Sequence, residues 1–191
     1  MIVDHDKKFV FIAIAKTGTT SIHRRVVPEA DDPPPHIYHM FLKNILMEHD
    51  VEDYYKCAFV RNPYDRVVSV FHDLRFAMGH YWAKPAISQF NTFKEFVMGY
   101  EHTPCMDFIH LRPQTEYLEV DNKIDVDFIG HFETLADDFY QLEERLNIPH
   151  APLEHHRPSS HPPFEELYDE ESKDIIKRIY HDDFENFGYQ R

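Results

Sequence analysis

The sequence predicts an α/β fold of three layers, with a central, mostly parallel sheet flanked by helices. Short apolar, β-rich runs alternate with amphipathic helical segments along the chain, the pattern of a layered sheet-and-helix domain. The first such run, Lys8 to Ala15 (KFVFIAIA), is apolar without alternation, as in a strand covered on both faces. A second, Tyr54 to Val60 (YYKCAFV), ends at Arg61-Asn62-Pro63 and passes directly into a long apolar-periodic segment.

In chain order, Lys16 to Ser21 (KTGTTS) forms a turn after the first strand, and Thr20 to Val27 begins a helix. The Asp-Asp-Pro-Pro-Pro stretch from Asp31 to Pro35 must be a loop, because proline locks φ and removes backbone donors. Met40 to Glu48 places Phe41, Ile45 and Leu46 at helical spacing. Pro63 suits the first turn of a helix, which continues from Tyr64 to Met78 with Val67, Val68, Phe71 and Leu74 on its apolar side. Gly79 to Phe90 reads as an exposed insertion, and Thr92-x-x-Glu95 as a capping box opening a short helix through Tyr100. Thr115 to Val120 and Val126 to Gly130 are expected strands. Glu133 to Asn147 is an expected helix with Leu135, Phe139, Leu142 and Leu146 on one stripe. Pro149 to Pro163, with five prolines, is a loop, and a helix from Glu170 to Tyr180 precedes an aromatic tail of Phe184, Phe187 and Tyr189.

The chain has 191 residues, 42% of them apolar and 15% aromatic, enough for a single domain that buries roughly 70% of its unfolded surface. The longest apolar run, Phe9 to Ala15, falls short of the roughly 20 residues that cross a bilayer. The N-terminus lacks the charged-then-apolar layout of a signal peptide. A soluble, cytoplasmic protein without stable membrane insertion is expected. The 34 acidic residues against 20 basic ones, net −14, and the lack of a basic block exclude a general nucleic-acid binder. Any anionic ligand must therefore be captured locally. Cys57 and Cys105 are read as free thiols. Protonating the 15 histidines would cancel the net negative charge, so solubility and activity are expected to depend on pH around 6 to 7.

A strand running into Lys16-Thr17-Gly18-Thr19-Thr20-Ser21 and then a helix is an arrangement that wraps an anion. Backbone N–H groups at the helix start point into the turn, Gly18 allows close approach, and the hydroxyls and Lys16 add donors and charge. Taken alone, the same residues would also serve as a Thr-rich turn with Thr20 or Ser21 as an ordinary N-cap. The motif is not a Walker A loop, since Lys16 precedes the glycine instead of following it. The second strand ends in Arg61 where a Mg²⁺-holding aspartate would stand in a Walker-type site. Both departures point to a phosphate-type ligand held by cations and amides without a metal.

Together, KTGTTS and FVRNPYDRVVSVF (Phe59 to Phe71) resemble the two donor signatures of sulfotransferases that use 3′-phosphoadenosine-5′-phosphosulfate (PAPS). The resemblance implies a P-loop-like fold in which the first segment, Lys16 to Ser21, holds the 5′-phosphosulfate, and Arg61 with Ser69 holds the 3′-phosphate. The spacing suits this, with Ser69 about 9 Å along a helix that starts near Pro63. Arg61 and Arg66 could instead pair with Asp65 or another carboxylate. Phe93-Lys94-Glu95-Phe96, Pro113-Gln114-x-x-Tyr117-Leu118, Val126 to Leu135 and Tyr180 to Tyr189 extend the resemblance to the carbohydrate sulfotransferases (sulfotransferase 2 type) over nearly the whole chain. Most of these later segments read as structural, the terminal aromatics as a cap on the sheet.

Sulfuryl transfer to a hydroxyl needs a base on the acceptor side and a cation on the leaving-group side. Lys16 is the expected cation. The resemblance implies a histidine base at His39, which directly precedes the helical segment, or at His36, with a carboxylate or no dedicated base as the alternative; both histidines could instead cap or pack near the helix start. Arg157, in a loop that lacks the Asn of the family's Asn-x-Ser pattern, is a further candidate for the 3′-phosphate or a solvated loop arginine. Gln114 and Tyr117 are candidates to line the acceptor cleft, Tyr117 alternatively a strand core residue, and Trp82 to stack on sugar or adenine. No metal ligand set is expected. The acceptor is expected to be a hydroxyl on a glycan or glycolipid head group, since an acidic chain disfavours an already sulfated polymer. A P-loop nucleotide kinase or NTPase, and a non-catalytic nucleotide-binding module, are the alternatives.

Overall fold

The computed structural model describes residues 1–27, 39–76, 82–154 and 161–191. In chain order the elements are β1 (Ile2–Asp4), β2 (Phe9–Ile12), α1 (Thr19–Val26), α2 (Leu42–Glu48), β3 (Tyr55–Val60) and α3 (Pro63–Phe76). They continue with α4 (Lys84–Ile87), α5 (Phe93–Gly99), α6 (Gln114–Leu118), β4 (Glu119–Val120), β5 (Lys123–Ile124), β6 (Phe128–His131), α7 (Leu135–Leu146), α8 (Glu170–Ile179) and α9 (His181–Phe187). The chain divides into two compact units, Met1–Arg61 with Gln114–Pro158, and Asn62–Pro113 with Ser159–Arg191.

The first unit holds the mixed α/β sheet, in the order β1-β2-β3-β6. β2, β3 and β6 run parallel, with Phe11 beside Cys57 and Cys57 beside Phe128, while β1 pairs antiparallel at the edge. Side chains alternate across a strand, so Phe9, Phe11, Cys57 and Phe59 share one face. There they pack with Ile22 and Val26 of α1 and with Phe139, Leu142 and Leu146 of α7. Val10, Ile12, Ala58 and Val60 point the other way and are buried just as fully, which is why both runs read as continuously apolar. Gly130 on β6 is required by crowding: a Cβ there would lie 2.4 Å from the Phe59 ring. At the far end of α1, Arg25 pairs with the buried Glu143 of α7 at 2.7 Å, and His150 reaches the same carboxylate at 3.0 Å.

In this unit one strand is added and one expectation changes. β1 is a strand that three apolar-leaning residues did not announce. Thr115 to Val120, expected as one strand, is instead helix α6 followed by a two-residue hairpin arm. β4 pairs with β5 across Asp121 and Asn122, both at positive φ (51° and 61°), as a tight hairpin turn requires. α6 has only five residues, too short to persist on propensity alone. Its long-range contacts, described below, hold it. The helix expected from Glu133 starts with a 3₁₀ turn at Phe132–Thr134, and α7 ends at Asn147, whose left-handed conformation (φ 52°) closes it. Asp138 secures its entry, accepting from the His131 N–H at 2.7 Å and the Thr134 hydroxyl at 2.8 Å.

The second unit is helical, built around Val67, Val68, Phe71 and Leu74 of α3, with Phe96, Tyr100, Ile176, Tyr180 and Phe184. Thr92 caps α5 by accepting from the Glu95 N–H at 3.1 Å. The Glu95 carboxylate reaches back to the N–H of Asn91, one residue earlier than a capping box requires. The span expected as an exposed insertion contains, in its described part, α4, and buries Ala83, Ile87 and Phe90. The terminal aromatics, expected as a cap on the sheet, belong to this unit: Phe184 and Phe187 lie on α9, Phe184 in the core, and Tyr189 packs against that core. Arg66 is fully buried and donates to the carbonyls of His110 (2.9 Å) and Arg112 (2.8 Å), so its charge organises backbone within this core. Cys57 and Cys105 are both buried free thiols, and burial pushes the Cys57 thiol far up from its ordinary value. Among the described residues no helix is long and apolar enough to cross a membrane.

Candidate active site

Parallel pairing brings the C-terminal ends of β2, β3 and β6 to one edge of the sheet, the edge where open α/β sheets present ligand sites. The Lys16–Ser21 turn leaves this edge after β2. Two residues take left-handed conformations, Lys16 (φ 69°) and Gly18 (φ 79°). For Gly18 that conformation is free, and it serves as the N-cap of α1, so neither Thr20 nor Ser21 takes that role. Gly18 also lies against α7: a Cβ there would approach Leu135 Cδ2 to 2.7 Å and the Phe132 ring to 3.6 Å. The Thr17 hydroxyl turns inward and donates to the Ile14 carbonyl at 3.0 Å, tying the turn to the strand that feeds it. Thr19 and Ser21 are buried, whereas Lys16, Gly18 and Thr20 are half-buried. α1 carries no acidic residue in its first turn and has His23, Arg24 and Arg25 in its last. That distribution complements the helix dipole at the C-terminal end and keeps negative side chains away from the end that would meet an anion.

Arg61 emerges from the end of β3, next to the turn. Its Nη1 donates to the Lys16 carbonyl at 3.1 Å, so the side chain from one segment braces the backbone of the other. Its guanidinium carbon sits 4.1 Å from the centre of the Phe132 ring, a cation–π geometry. The same ring neighbours Gly18 and therefore backs both segments. Gln114, at the start of α6, holds the Arg61 main chain at two points. Its Oε1 accepts from the Arg61 N–H at 2.9 Å, and its Nε2 donates to the Arg61 carbonyl at 2.8 Å.

His39 lies just before α2, with Nδ1 2.7 Å from the Ala13 carbonyl at the end of the β2 run. A carbonyl only accepts, so Nδ1 carries the proton and Nε2 is the basic nitrogen. Tyr117 packs edge-on against Phe41 at 5.1 Å, joining α6 to the start of α2.

Within the first unit the structure thus brings together Lys16, Thr17, Gly18, Thr19, Thr20 and Ser21 with Arg61 and Gln114, and sets His39 against the strand that feeds the turn. Ser69 is fully buried on α3 in the second unit. Gln114 and Tyr117, expected along an acceptor cleft, are fully buried, Gln114 on the Arg61 main chain and Tyr117 against Phe41; Tyr117 is on a helix, not a strand. Trp82 is 53% exposed and packs edge-on against Phe108. His36 and Arg157 lie outside the described residues. Phe132 falls in the Val126 to Leu135 segment, expected to be structural, and its ring backs both Arg61 and Gly18. Its position right after the third parallel strand is the signal that could have drawn it to the site. Among the described residues no group of three or more His, Cys, Asp or Glu is placed to hold a metal ion.

A parallel-sheet edge with a glycine turn opening a helix, braced by an arginine from the neighbouring strand, is the candidate site of this α/β protein. A family model described as the Sulfotransferase family matches residues 1–190. The chain belongs to the Sulfotransferase family and is a transferase of sulfuryl groups. No curated protein and no solved structure matches the chain.

Proposed function

We propose that the enzyme transfers the sulfuryl group of PAPS to a hydroxyl of a carbohydrate acceptor, a glycan or glycolipid head group, with His39 as the base. The observation that carries this reading is the Arg61–Lys16 contact, which joins the two segments expected to hold the two ends of the donor. The residues suit such a polyanionic ligand: a lysine, an arginine, and a helix N-terminus with no acidic residue in its first turn, opened by a glycine whose left-handed conformation shapes the turn.

In this reading the donor supplies an electrophilic sulfuryl group and a phosphate leaving group. The turn from Thr17 to Ser21 offers amides and hydroxyls to the 5′ end. Arg61 and Ser69 take the 3′-phosphate, with Arg157 as a further contact. Lys16 meets the charge that builds on the leaving oxygen. His39 Nε2 accepts the proton of the attacking hydroxyl, and the Ala13 carbonyl holds the ring in the required tautomer. His36 is the alternative base. A sulfuryl group carries less charge than a phosphoryl group, which lowers the demand for a metal. The net charge of −14 favours an uncharged acceptor over an already sulfated polymer.

Thermal shift tests the donor. A ligand that binds only the native state raises the melting temperature, so 3′-phosphoadenosine 5′-phosphate should stabilise the protein and MgATP should not. Stabilisation by MgATP alone would favour a kinase or NTPase and sink the reading. Transfer of labelled sulfate to a panel of neutral glycans tests the acceptor. A protein that binds the nucleotide but transfers to no acceptor would be a binding module.

A further inference from the structure

The Gln114–Arg61 pair has the form of one further rung of the sheet, made by a side chain. β3 ends at Val60, so the N–H and C=O of Arg61 have left the ladder in a place where Arg61 is only 6% exposed. Buried main-chain groups are costly unless paired. The Gln114 carboxamide supplies a donor and an acceptor at 2.8 and 2.9 Å, as a neighbouring strand would. Fixing both main-chain groups of Arg61 fixes the direction of its side chain, which then meets the Phe132 ring at 4.1 Å and the Lys16 carbonyl at 3.1 Å. A guanidinium has five N–H donors, so bracing Lys16 and meeting an anion are compatible.

We infer that Gln114 is a positioning residue that sets the enzyme's selectivity for 3′-phosphorylated nucleotides, acting through Arg61. This rests on the reading that Arg61 receives the 3′-phosphate. Preorganisation is the physical cause: an arginine already aimed loses less rotamer entropy when the anion arrives. Phe132 does the same for the guanidinium plane as Gln114 does for the backbone.

The test compares dissociation constants for 3′-phosphoadenosine 5′-phosphate and adenosine 5′-phosphate, which differ only in the 3′-phosphate. Gln114→Met keeps the length and removes both hydrogen bonds. It should weaken binding of the 3′-phosphorylated ligand about tenfold and leave the other within about twofold, a loss of roughly 1.4 kcal/mol in selectivity. In an Arg61→Ala background the same change should cost nothing more. Phe132→Leu leaves the Gln114–Arg61 bonds in place but loosens the ring behind both Gly18 and Arg61, so it should weaken both ligands and the 3′-phosphorylated one several-fold more, which covers the case in which Gln114→Met fails to fold. Equal losses for both ligands in Phe132→Leu and Gln114→Met, or losses that add to that of Arg61→Ala, would make these residues general supports and overturn the inference. A wild-type protein that does not prefer the 3′-phosphorylated ligand would instead overturn the donor reading beneath it.

Discussion

Lys16 illustrates how one residue can carry a chemical and a conformational demand at once. A non-glycine residue in the left-handed region costs about 1 kcal/mol, and here the cost is met where the Lys16 carbonyl accepts from Arg61. Lys16→Gly separates the two demands. Backbone strain is relieved while unfolded-state entropy rises, so the melting temperature should stay within about 3 °C of wild type. Sulfuryl transfer should nevertheless fall on the order of 100-fold, because the cation proposed to face the leaving oxygen is gone. Unchanged transfer rates would remove Lys16 from the chemistry. His39 is the complementary case, with its tautomer set by one backbone carbonyl. His39→Ala should lower kcat by about 10² to 10⁴ while leaving the affinity for 3′-phosphoadenosine 5′-phosphate unchanged, measured by single-turnover transfer and calorimetry. Undiminished transfer would move the role of base elsewhere.

At the level of elements, the turn and α1 are held against α7 at both ends, by Gly18 against Leu135 and by Arg25 against Glu143. Gly18→Ala offends twice, through a positive φ and through a Cβ 2.7 Å from Leu135 Cδ2. It should cost about 1–3 kcal/mol, lower the melting temperature by several degrees and weaken donor binding, since the turn must shift to relieve the contact. Thr92→Ala removes the α5 cap and should cost about 1 kcal/mol with no effect on donor affinity, because no residue proposed to meet the donor lies on α5. The main elements were legible because their signals are local: continuous apolar runs for β2 and β3, a proline start for α3, a one-sided stripe for α7. α6 was not. The alternation of Thr115, Glu116, Tyr117 and Leu118 fits a strand as well as a helix, and the Gln114–Arg61 and Tyr117–Phe41 contacts decide between them from distant parts of the chain. α4 and α9 were missed for the same reason, being short helices held by burial in the core of the second unit.

Over the whole molecule, acid should destabilise the fold through two partly desolvated histidines, His23 and His72. Burial holds His23 below its ordinary value, and burial, with His161 and Arg75 nearby, does the same to His72. The unfolded chain then takes up protons near pH 6.5 before these folded-state rings do, so it binds more protons as pH falls. Their contribution is complete above about pH 6.5 and is lost progressively below it. Urea unfolding between pH 7.5 and 5 should show the midpoint falling with pH, and a His23→Gln, His72→Gln double variant should flatten that slope. An unaltered slope would shift the acid sensitivity to other groups. In the proposed reading the charge of −14 has a narrower meaning than a general bar to anions: a few groups at one sheet edge would counter it locally.

The sequence by itself determined the strands that carry the site, the anion-wrapping turn, the arginine at the second strand end and the family to which these belong. Each depends on neighbours within a few residues, whose spacing survives in one dimension. Tertiary structure alone decided how those parts are aimed. Gln114 grips Arg61 from 53 residues away, Phe132 backs Arg61 and Gly18 together, and the Ala13 carbonyl sets the tautomer of His39 from 26 residues away. Such contacts satisfy backbone groups and orient charges only after the sheet has formed, and no local pattern of residue types encodes them.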